Sequence, residues 1–412
     1  MNAQVLIPHY NSGVSDEYVH EGIVVHRYAE PSVVDRSLIM GRRKPDGLAA
    51  FAKLLQSLQP DVVHFHGLGG SNGITYHHVS LAKELGYKVV FTFHIAGLSC
   101  FTGNLIYQEK VACNGYASPI KCTRCVYQAK NLSAVKTHFL KYASQLGYSL
   151  GYDASRWQNS LGTAIGFPFV IKQRKKILQQ LAQDCDQLIV LTNWYKKVLD
   201  LNGISSHKLL YLPQALPPQE QRVDDKNILP TSHILKMVFV GRIVYSKGLH
   251  LLLEVVKQLD PQRVELHIYG QLKDEEYAAG CKKIIDAHPH ITWKGVLQPP
   301  DVVATLSQYD VLCIPSVICE MSPLVIQEAF AAGIPVIASD VYGNAEQIEH
   351  GKNGWLFPFK NATAFFKIVN DLLLHPEKFS LAKTNLPPVS SFTNLAQKHL
   401  QLYHTLTEQA VS

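Results

Sequence analysis

Two cations past the middle of the chain follow an apolar run at a spacing that suits a phosphate-bearing ligand. The segment FVGRIVYSKG, residues 239–248, places Arg242 and Lys247 between a strand-like run and a helical pattern. Gly241 lets a ligand approach the backbone closely. The N–H groups and the dipole at the start of the following helix also attract anions. This pattern predicts a diphosphate site, and the alternative is a surface turn with two solvated cations.

Two carboxylates later in the chain have a spacing that suits sugar hydroxyl groups. In the segment CEMSPLVIQEAF, residues 319–330, Glu320 precedes a helical pattern and Glu328 lies inside it. Both are expected at the carboxyl end of a parallel strand, where open α/β sheets bind ligands. A carboxylate there accepts hydrogen bonds from hydroxyl groups. The alternative is that the two acids only complement the helix dipole.

Four of the eight cysteines are close together in the sequence, at Cys100, Cys113, Cys122 and Cys125. Cys122 and Cys125 have the Cys-x2-Cys spacing of a zinc knuckle, and the other two would complete a tetrahedral site. The pattern predicts a structural zinc ion. The alternative is free or redox-active thiols, because a second Cys-x2-Cys pair is absent.

The elements that must position these residues are short apolar runs separated by longer helical patterns. After residue 248, apolar residues at 249, 252, 253, 256 and 259 fall on one helix face. Alternation of this kind is typical of parallel sheets covered by helices, so the sequence predicts an α/β fold. The runs that we predict as buried strands are 62–65, 88–93, 188–191, 237–240, 265–269, 311–314 and 335–338.

A proline-rich and polar stretch, residues 213–230, has the composition of an exposed linker. It separates a predicted N-terminal domain, residues 1–215, from a C-terminal domain, residues 216–390, that holds the cations and carboxylates. The N-terminal domain carries the cysteine-rich insert at 100–125. Residues 391–412 are expected to form a helix that packs back toward the N-terminal domain.

The two motifs together resemble those of the family-four glycosyltransferases. The Arg-x4-Lys and Glu-x7-Glu spacings occur in this order, and the segment AAGIPVIASDVYGNAEQIEHGKNGWLF follows. The resemblance extends over nearly the whole chain and is more specific than one short motif. It implies the GT-B fold, in which two Rossmann-like domains face each other across a cleft. A related subgroup of the family carries a similar four-cysteine insert.

The resemblance also implies roles for the cations and carboxylates. Arg242 and Lys247, together with the backbone at Gly241, would hold the donor diphosphate. Glu320 would lie beside the transferred sugar, and Glu328 would bind the ribose hydroxyls. Arg242, Lys247 and Glu320 are therefore the expected catalytic residues of the C-terminal domain.

Further positions follow from the same resemblance. Val296, in the loop KGVL, would meet the donor base. Ser322, Pro323 and Leu324 would line the donor site, in a Glu-x-Ser-Pro form where the family usually has Gly-Phe-Gly. In the N-terminal domain, His94 matches a catalytic histidine of the family, which contacts the transferred sugar or the acceptor. The alternative for His94 is a hydrogen-bonded structural histidine.

The activity implied is retaining transfer of a sugar from a UDP- or GDP-sugar to a glycan or lipid-linked acceptor. The setting implied is cell-surface polysaccharide synthesis, with no metal or other cofactor for catalysis. The resemblance also implies that the family's first strand, Gly-Gly loop and first helix are absent from this sequence. The alternative function is therefore a non-catalytic nucleotide-sugar-binding subunit that lacks its N-terminal phosphate loop.

Charge and hydropathy give expectations about location. The sequence has 39 basic and 33 acidic residues, and it shows no bilayer-spanning apolar run and no export signal, which favours the cytoplasm. Residues 121–176 contain many basic and aromatic residues and one acid, Asp153. This mixture predicts peripheral docking on an anionic membrane surface. The membrane expected is the inner face of the plasma membrane. The alternative is a solvated helical face, and no motif for nucleic-acid binding is present.

Overall fold

The computed structural model describes residues 2–31, 36–69, 73–130, 133–157, 159–217 and 234–408. The chain divides into two compact units. The first comprises Met1–Leu212 and Leu400–Ser412, and the second comprises Pro213–His399. Most of the predicted linker, residues 218–230, lies outside the described residues.

The secondary structure alternates between strands and helices along most of the chain. Within the described residues the strands are β1 (Val5–Tyr10), β2 (Asp16–His20), β3 (Ile23–Glu30), β4 (Val62–His66), β5 (Lys88–Phe93), β6 (Ile106–Tyr107), β7 (Val111–Ala112), β8 (Gln187–Val190), β9 (Leu209–Tyr211), β10 (Leu235–Val240), β11 (Val264–Tyr269), β12 (Ile291–Gly295), β13 (Val311–Ile314), β14 (Val336–Ser339) and β15 (Gly354–Phe357). The α-helices in the same ranges are α1 (Arg36–Ile39), α2 (Leu48–Leu58), α3 (Tyr76–Glu84), α4 (Pro119–Ala129), α5 (Ala134–Ser149), α6 (Ser160–Ile165), α7 (Phe167–Asp184), α8 (Asn193–Leu201), α9 (Leu249–Val256), α10 (Glu275–Asp286), α11 (Val302–Leu306), α12 (Leu324–Ala331), α13 (Tyr342–Ala345), α14 (Ala362–Leu374), α15 (Glu377–Thr384) and α16 (Phe392–Glu408).

A parallel four-stranded sheet forms the core of the first unit, with the strand order β4-β5-β8-β9. In β5, Val89, Val90, Phe91 and Phe93 are each at most 2% exposed. A run that is buried on both faces is typical of a strand covered by helices on both sides. β1, β3 and β2 form a separate three-stranded sheet, in which β1 and β3 are parallel.

A mainly helical segment separates β5 from β8 in the first unit. It contains the hairpin β6–β7 and the helices α4 to α7. Val126 of α4 packs on Phe167 and Ile171 of α7 in a small buried cluster. Val170 is buried as well, so most of the apolar residues at the start of α7 are used in packing.

The second unit contains a six-stranded parallel sheet with the order β12-β11-β10-β13-β14-β15. The chain places β11 and β12 on one side of β10, and it then returns to place β13 on the other side. The strand order therefore reverses between β10 and β13. Open α/β sheets bind ligands at the carboxyl ends of the strands at such a reversal point.

The strands that the apolar runs predict are present. Each predicted run overlaps a strand, and 88–93 and 311–314 match β5 and β13 residue for residue. The predicted apolar helix face is present in α9, where Leu249, Leu252 and Val256 are fully buried. The α/β fold with parallel sheets is thus confirmed.

Candidate functional site

Two loops at the reversal point of the six-stranded sheet hold the predicted cations and the first carboxylate. The loop after β10 contains Arg242 and Lys247, and α9 then begins at Leu249. The loop after β13 contains Glu320, and α12 then begins at Leu324. β10 and β13 are adjacent and parallel. Their loops therefore leave the same edge of the sheet side by side.

Gly248 allows the first loop to pack directly on the second. Its φ of 71° lies in the left-handed region, and an added Cβ would lie 1.8 Å from the carbonyl oxygen of Pro315. The N–H of Val317 also donates to the carbonyl of Ser246 at 2.9 Å. A side chain at position 248 would push the two loops apart, so this approach requires glycine.

Lys247 and Glu320 form an ion pair across the two loops. Nζ of Lys247 donates to Oε1 of Glu320 at 2.7 Å, and Oγ of Ser316 donates to the same oxygen at 2.7 Å. The side chain of Glu320 is 11% exposed and that of Lys247 is 24% exposed. Water competes little for these charge-assisted hydrogen bonds, so both side chains are held in place at the edge of the sheet.

Sequence reasoning missed a buried polar network behind Glu320. Oγ of Ser339 donates to the carbonyl of Ser316 at 2.7 Å, and the side-chain amide of Asn344 donates to the carbonyl of Ser339 at 3.0 Å. An added Cβ on Gly343 would lie 2.1 Å from the carbonyl oxygen of Glu320, so α13 packs directly on this loop. The sequence feature that could have indicated this network is a group of three small or polar residues, Ser339, Gly343 and Asn344, which follows the predicted strand 335–338.

Arg242 follows Gly241 directly after β10, and it is exposed. Within the described part of the chain Arg242 forms no ion pair, whereas Lys247 is paired with Glu320. The guanidinium group therefore offers its positive charge and its N–H donors to a ligand. An arginine in this position can bind a phosphate group through two parallel hydrogen bonds.

Glu328 lies in the second turn of α12 and is half-buried. Its side chain forms no hydrogen bond or ion pair with any described residue, and burial raises its pKa. Hydrogen bonds donated by ligand hydroxyl groups would stabilise the charged form of such a carboxyl group. The predicted neighbours Ser322, Pro323 and Leu324 lead into the same helix, and Val296 follows β12 directly with an exposed side chain.

His94 lies in the first unit, directly after β5, and His66 ends the neighbouring strand β4. Nδ1 of His66 and Nε2 of His94 are 3.1 Å apart. Partial burial lowers the pKa of His94, because burial disfavours the charged imidazolium. On the same face of β4, His64 is joined to Thr92 by a hydrogen bond of 2.7 Å. The predicted histidine therefore belongs to a group of histidines at the carboxyl edge of this sheet.

The four clustered cysteines surround one small cavity of about 20 Å³. Burial, followed by the neighbouring thiols of Cys100 and Cys113, raises the pKa of Cys122 to about 11. Sγ of Cys125 donates to the carbonyl of Ile106 at 3.5 Å. Across the residues that the structure describes, no three His, Cys, Asp or Glu side chains are arranged to hold a metal ion. The predicted structural zinc is therefore not supported, and the four residues are free cysteines.

The cations in the middle of α7 do not form one face. The guanidinium carbon of Arg174 lies 4.5 Å from the ring centre of Phe101, and Nζ of Lys175 lies 4.7 Å from the ring centre of Tyr116. The other two cations, Lys172 and Lys176, line a separate cavity. These four cations therefore lie on more than one face of α7, because successive helix residues point in different directions. Membrane docking through residues 121–176 stays a prediction. Among the helices in the described ranges, none has the length and hydropathy to cross a membrane.

Solved structures show which fold this chain has. HepE from Anabaena, crystallised in complex with UDP, is 14% identical with a TM-score of 0.59, and the match covers 92% of this chain and 86% of HepE. Sucrose-phosphate synthase from Thermosynechococcus elongatus is 15% identical with a TM-score of 0.60, and the match covers 97% of this chain and 87% of that one. These are GT-B glycosyltransferases with two Rossmann-like domains, and this chain has their fold.

Sequence comparison identifies the family of the second unit. The family model "Glycosyl transferases group 1" matches residues 222–384, and these residues are a group 1 glycosyltransferase domain. A putative colanic acid biosynthesis glycosyltransferase, WcaL of Salmonella typhimurium, is 33% identical over 32% of this chain and 34% of its own length.

Two further relatives match different shares of the chain. Spore coat protein SA of Bacillus subtilis is 30% identical over 34% of this chain and 40% of its own length. The chain thus matches less than half the length of this relative and of WcaL. The amylovoran biosynthesis glycosyltransferase AmsK of Erwinia amylovora is 22% identical over 71% of this chain and 70% of its own length.

Proposed function

We propose that this protein is a retaining glycosyltransferase that moves a sugar from a UDP- or GDP-sugar to a glycan or lipid-linked acceptor. The observation that carries the proposal is the Lys247–Glu320 pair beside Arg242 at the reversal point of the sheet. The names of WcaL and AmsK support a role in polysaccharide biosynthesis. The UDP in the HepE crystals supports a nucleotide-sugar donor.

The proposed site suits a reaction in which a nucleoside diphosphate leaves. The bond from the sugar C1 to the diphosphate oxygen breaks, while the acceptor oxygen bonds to C1 on the same face. The acceptor proton passes to the leaving diphosphate. Arg242 and Lys247 would stabilise the charge that develops on the diphosphate, which is usually the largest electrostatic contribution to catalysis. Glu320, held by Lys247 and Ser316, would orient the transferred sugar through its hydroxyl groups.

A thermal-shift screen of nucleotide sugars, followed by an assay for release of nucleoside diphosphate, tests the proposal. We expect one UDP- or GDP-sugar to raise the Tm and to be turned over with retention at C1. Binding without turnover in the presence of candidate acceptors would support a nucleotide-sugar-binding subunit instead. A protein that binds no nucleotide sugar would contradict both functions.

Glu328 is proposed to accept hydrogen bonds from the ribose of the donor. Glu328→Ala is expected to weaken binding of the matching nucleoside diphosphate about 10- to 100-fold, since a hydrogen bond to a charged group contributes about 1.5–3 kcal/mol. Binding of the free base should change little. Isothermal titration calorimetry measures both affinities. The matched control is Glu254→Ala, which removes an acid paired with Lys257, and equal losses for base and nucleotide would contradict the ribose contact.

We also propose that α5 docks the first unit on an anionic membrane. Val135, Phe139, Tyr142 and Leu146 follow each other at three- and four-residue spacing and are 62–80% exposed. Residues at this spacing lie on one helix face. The helix contains two lysines and a histidine but no acid, so its charge is complementary to anionic lipid. Aromatic and apolar residues on such a face enter the interface without spanning the bilayer.

Liposome co-sedimentation tests the docking face. Phe139→Ser combined with Leu146→Ser should abolish most sedimentation with anionic vesicles, because two of the four exposed apolar and aromatic side chains of this face are removed. The control is Leu374→Ser combined with Leu381→Ser, two exposed leucines of the second unit. High salt should weaken binding, since the Debye length falls from about 10 Å at 0.1 M to about 3 Å at 1 M. Equal sedimentation of the two double variants would rule out α5 as the docking face.

A further inference from the structure

The first unit contains a cavity of about 540 Å³ that lies between α1, α7 and the turn Ala154–Trp157. This volume is within the range of small-molecule sites, which is about 300–1,000 Å³. The charged side chains that line it are Arg36, Arg42, Asp153, Arg156, Lys172 and Lys176. Among these described residues, five cations share the cavity with one acid.

Arg36 is fixed in position by neutral groups. Its guanidinium group donates to Oγ1 of Thr163 at 2.8 Å and to Oγ of Ser160 at 3.0 Å. Hydroxyl groups orient the guanidinium group without neutralising its charge. A carboxylate in the same place would have cancelled most of that charge, so this arrangement leaves Arg36 able to attract an anion.

One carboxylate is shared between two other arginines. The Arg42 guanidinium donates to Oδ2 of Asp153 at 3.0 Å and to Oγ of Ser155 at 2.6 Å. Nε of Arg156 lies 3.6 Å from the same carboxylate oxygen. Asp153 therefore orients Arg42 and offsets one of the five positive charges on the cavity wall.

Lys172 and Lys176 lie one helical turn apart on α7, and both are exposed to the cavity. Within the described ranges neither lysine forms an ion pair. Like charges at this spacing repel each other and destabilise a helix. An anion bound in the cavity would remove that repulsion.

We propose that this cavity binds a phosphate or diphosphate group. Arginines held in fixed orientations can donate paired hydrogen bonds to phosphate oxygens, and the two lysines add flexible point charges. The phosphate group belongs either to a small soluble molecule or to a lipid headgroup. The site lies wholly in the first unit, so it does not depend on the residues proposed for donor binding in the second.

The test compares two double variants of the full chain by calorimetric titration with inorganic pyrophosphate. Lys172→Gln with Lys176→Gln removes two cations of the cavity, and binding should weaken at least about tenfold. The matched control is Lys53→Gln with Lys197→Gln, two exposed lysines of the same unit outside the cavity. Both variants also carry Lys247→Ala, which weakens pyrophosphate binding at the proposed donor site.

A second arm distinguishes the source of the phosphate. The two variants are sedimented with phosphatidylcholine vesicles that do or do not contain phosphatidic acid. A loss confined to pyrophosphate indicates a soluble ligand, and a loss confined to phosphatidic acid vesicles indicates a lipid headgroup. The cavity variant should keep the Tm of the control or exceed it in the absence of ligand. Equal binding of both probes by the two variants overturns the proposal.

Discussion

Lys247→Ala is expected to lower kcat/KM for sugar transfer by about 10²-fold or more, the effect of losing one preorganised donor to developing charge. Lys247 is held beside the reversal point of the sheet by its 2.7 Å hydrogen bond to Glu320. Its charge would act mainly on the leaving diphosphate, so kcat should fall more than KM rises. Steady-state release of nucleoside diphosphate from the donor identified by the screen measures both constants.

The control for Lys247 is a lysine of the same unit with no contact to the site. Lys282→Ala removes an exposed lysine whose partner is Asp286 at 2.8 Å, and it should leave both constants unchanged. Lys247→Gln keeps a hydrogen-bond donor for Glu320 but removes the charge. Lys247→Gln should be nearly as inactive as Lys247→Ala, but its free energy of unfolding should be higher than that of Lys247→Ala. Activity of Lys247→Gln near that of the unmodified protein would contradict a role for the lysine charge.

Gly248→Ala is expected to destabilise the second unit by about 3 kcal/mol or more. The left-handed backbone alone disfavours alanine by about 1–2 kcal/mol. The added Cβ would also lie 1.8 Å from the carbonyl oxygen of Pro315, which is main chain and cannot rotate away. The two loops would have to separate, and the hydrogen bond between Val317 and Ser246 would be strained. Urea unfolding measures the free energy of unfolding.

A second glycine separates the two causes. Gly351 has a similar φ of 79°, but no heavy atom lies within 4 Å of an added Cβ. Gly351→Ala should therefore lose only the backbone contribution, about 1–2 kcal/mol. Gly248→Ala should also weaken donor binding, because Lys247 and Glu320 would move apart. Equal losses of stability in the two variants would show that the contact with Pro315 contributes nothing.

The strands and the positions of the two motifs could be predicted because they depend on local pattern. β5 and β13 are short, mainly apolar runs, and the hydrophobic effect buries such runs in almost any arrangement of the chain. Arg242 and Lys247 lie between an apolar run and a helix face, so the pattern alone places them in a loop at a strand end. Loops after parallel strands lie at the edge of the sheet where ligands bind, and the strand order then decides which of these loops flank the reversal point.

The sequence did not show which side chains share a surface. The cations of α7 are neighbours in the sequence, but Arg174 and Lys175 lie over the rings of Phe101 and Tyr116. The direction of a helical side chain depends on which face of the helix is buried. Packing on α4, which buries Ile171, decides that face for α7.

The sequence alone thus determined the α/β class and the spacing of the two motifs. Only the tertiary structure decided which distant groups meet. Lys247 and Glu320 are 73 residues apart, and the hydroxyl groups that hold Arg36 are up to 127 residues away from it. The structure also places Asn344 and Ser339 behind Glu320 in one buried network. Strand order and helix packing bring such groups together, and hydrophobic periodicity cannot report them because it reflects only the burial of each element by itself.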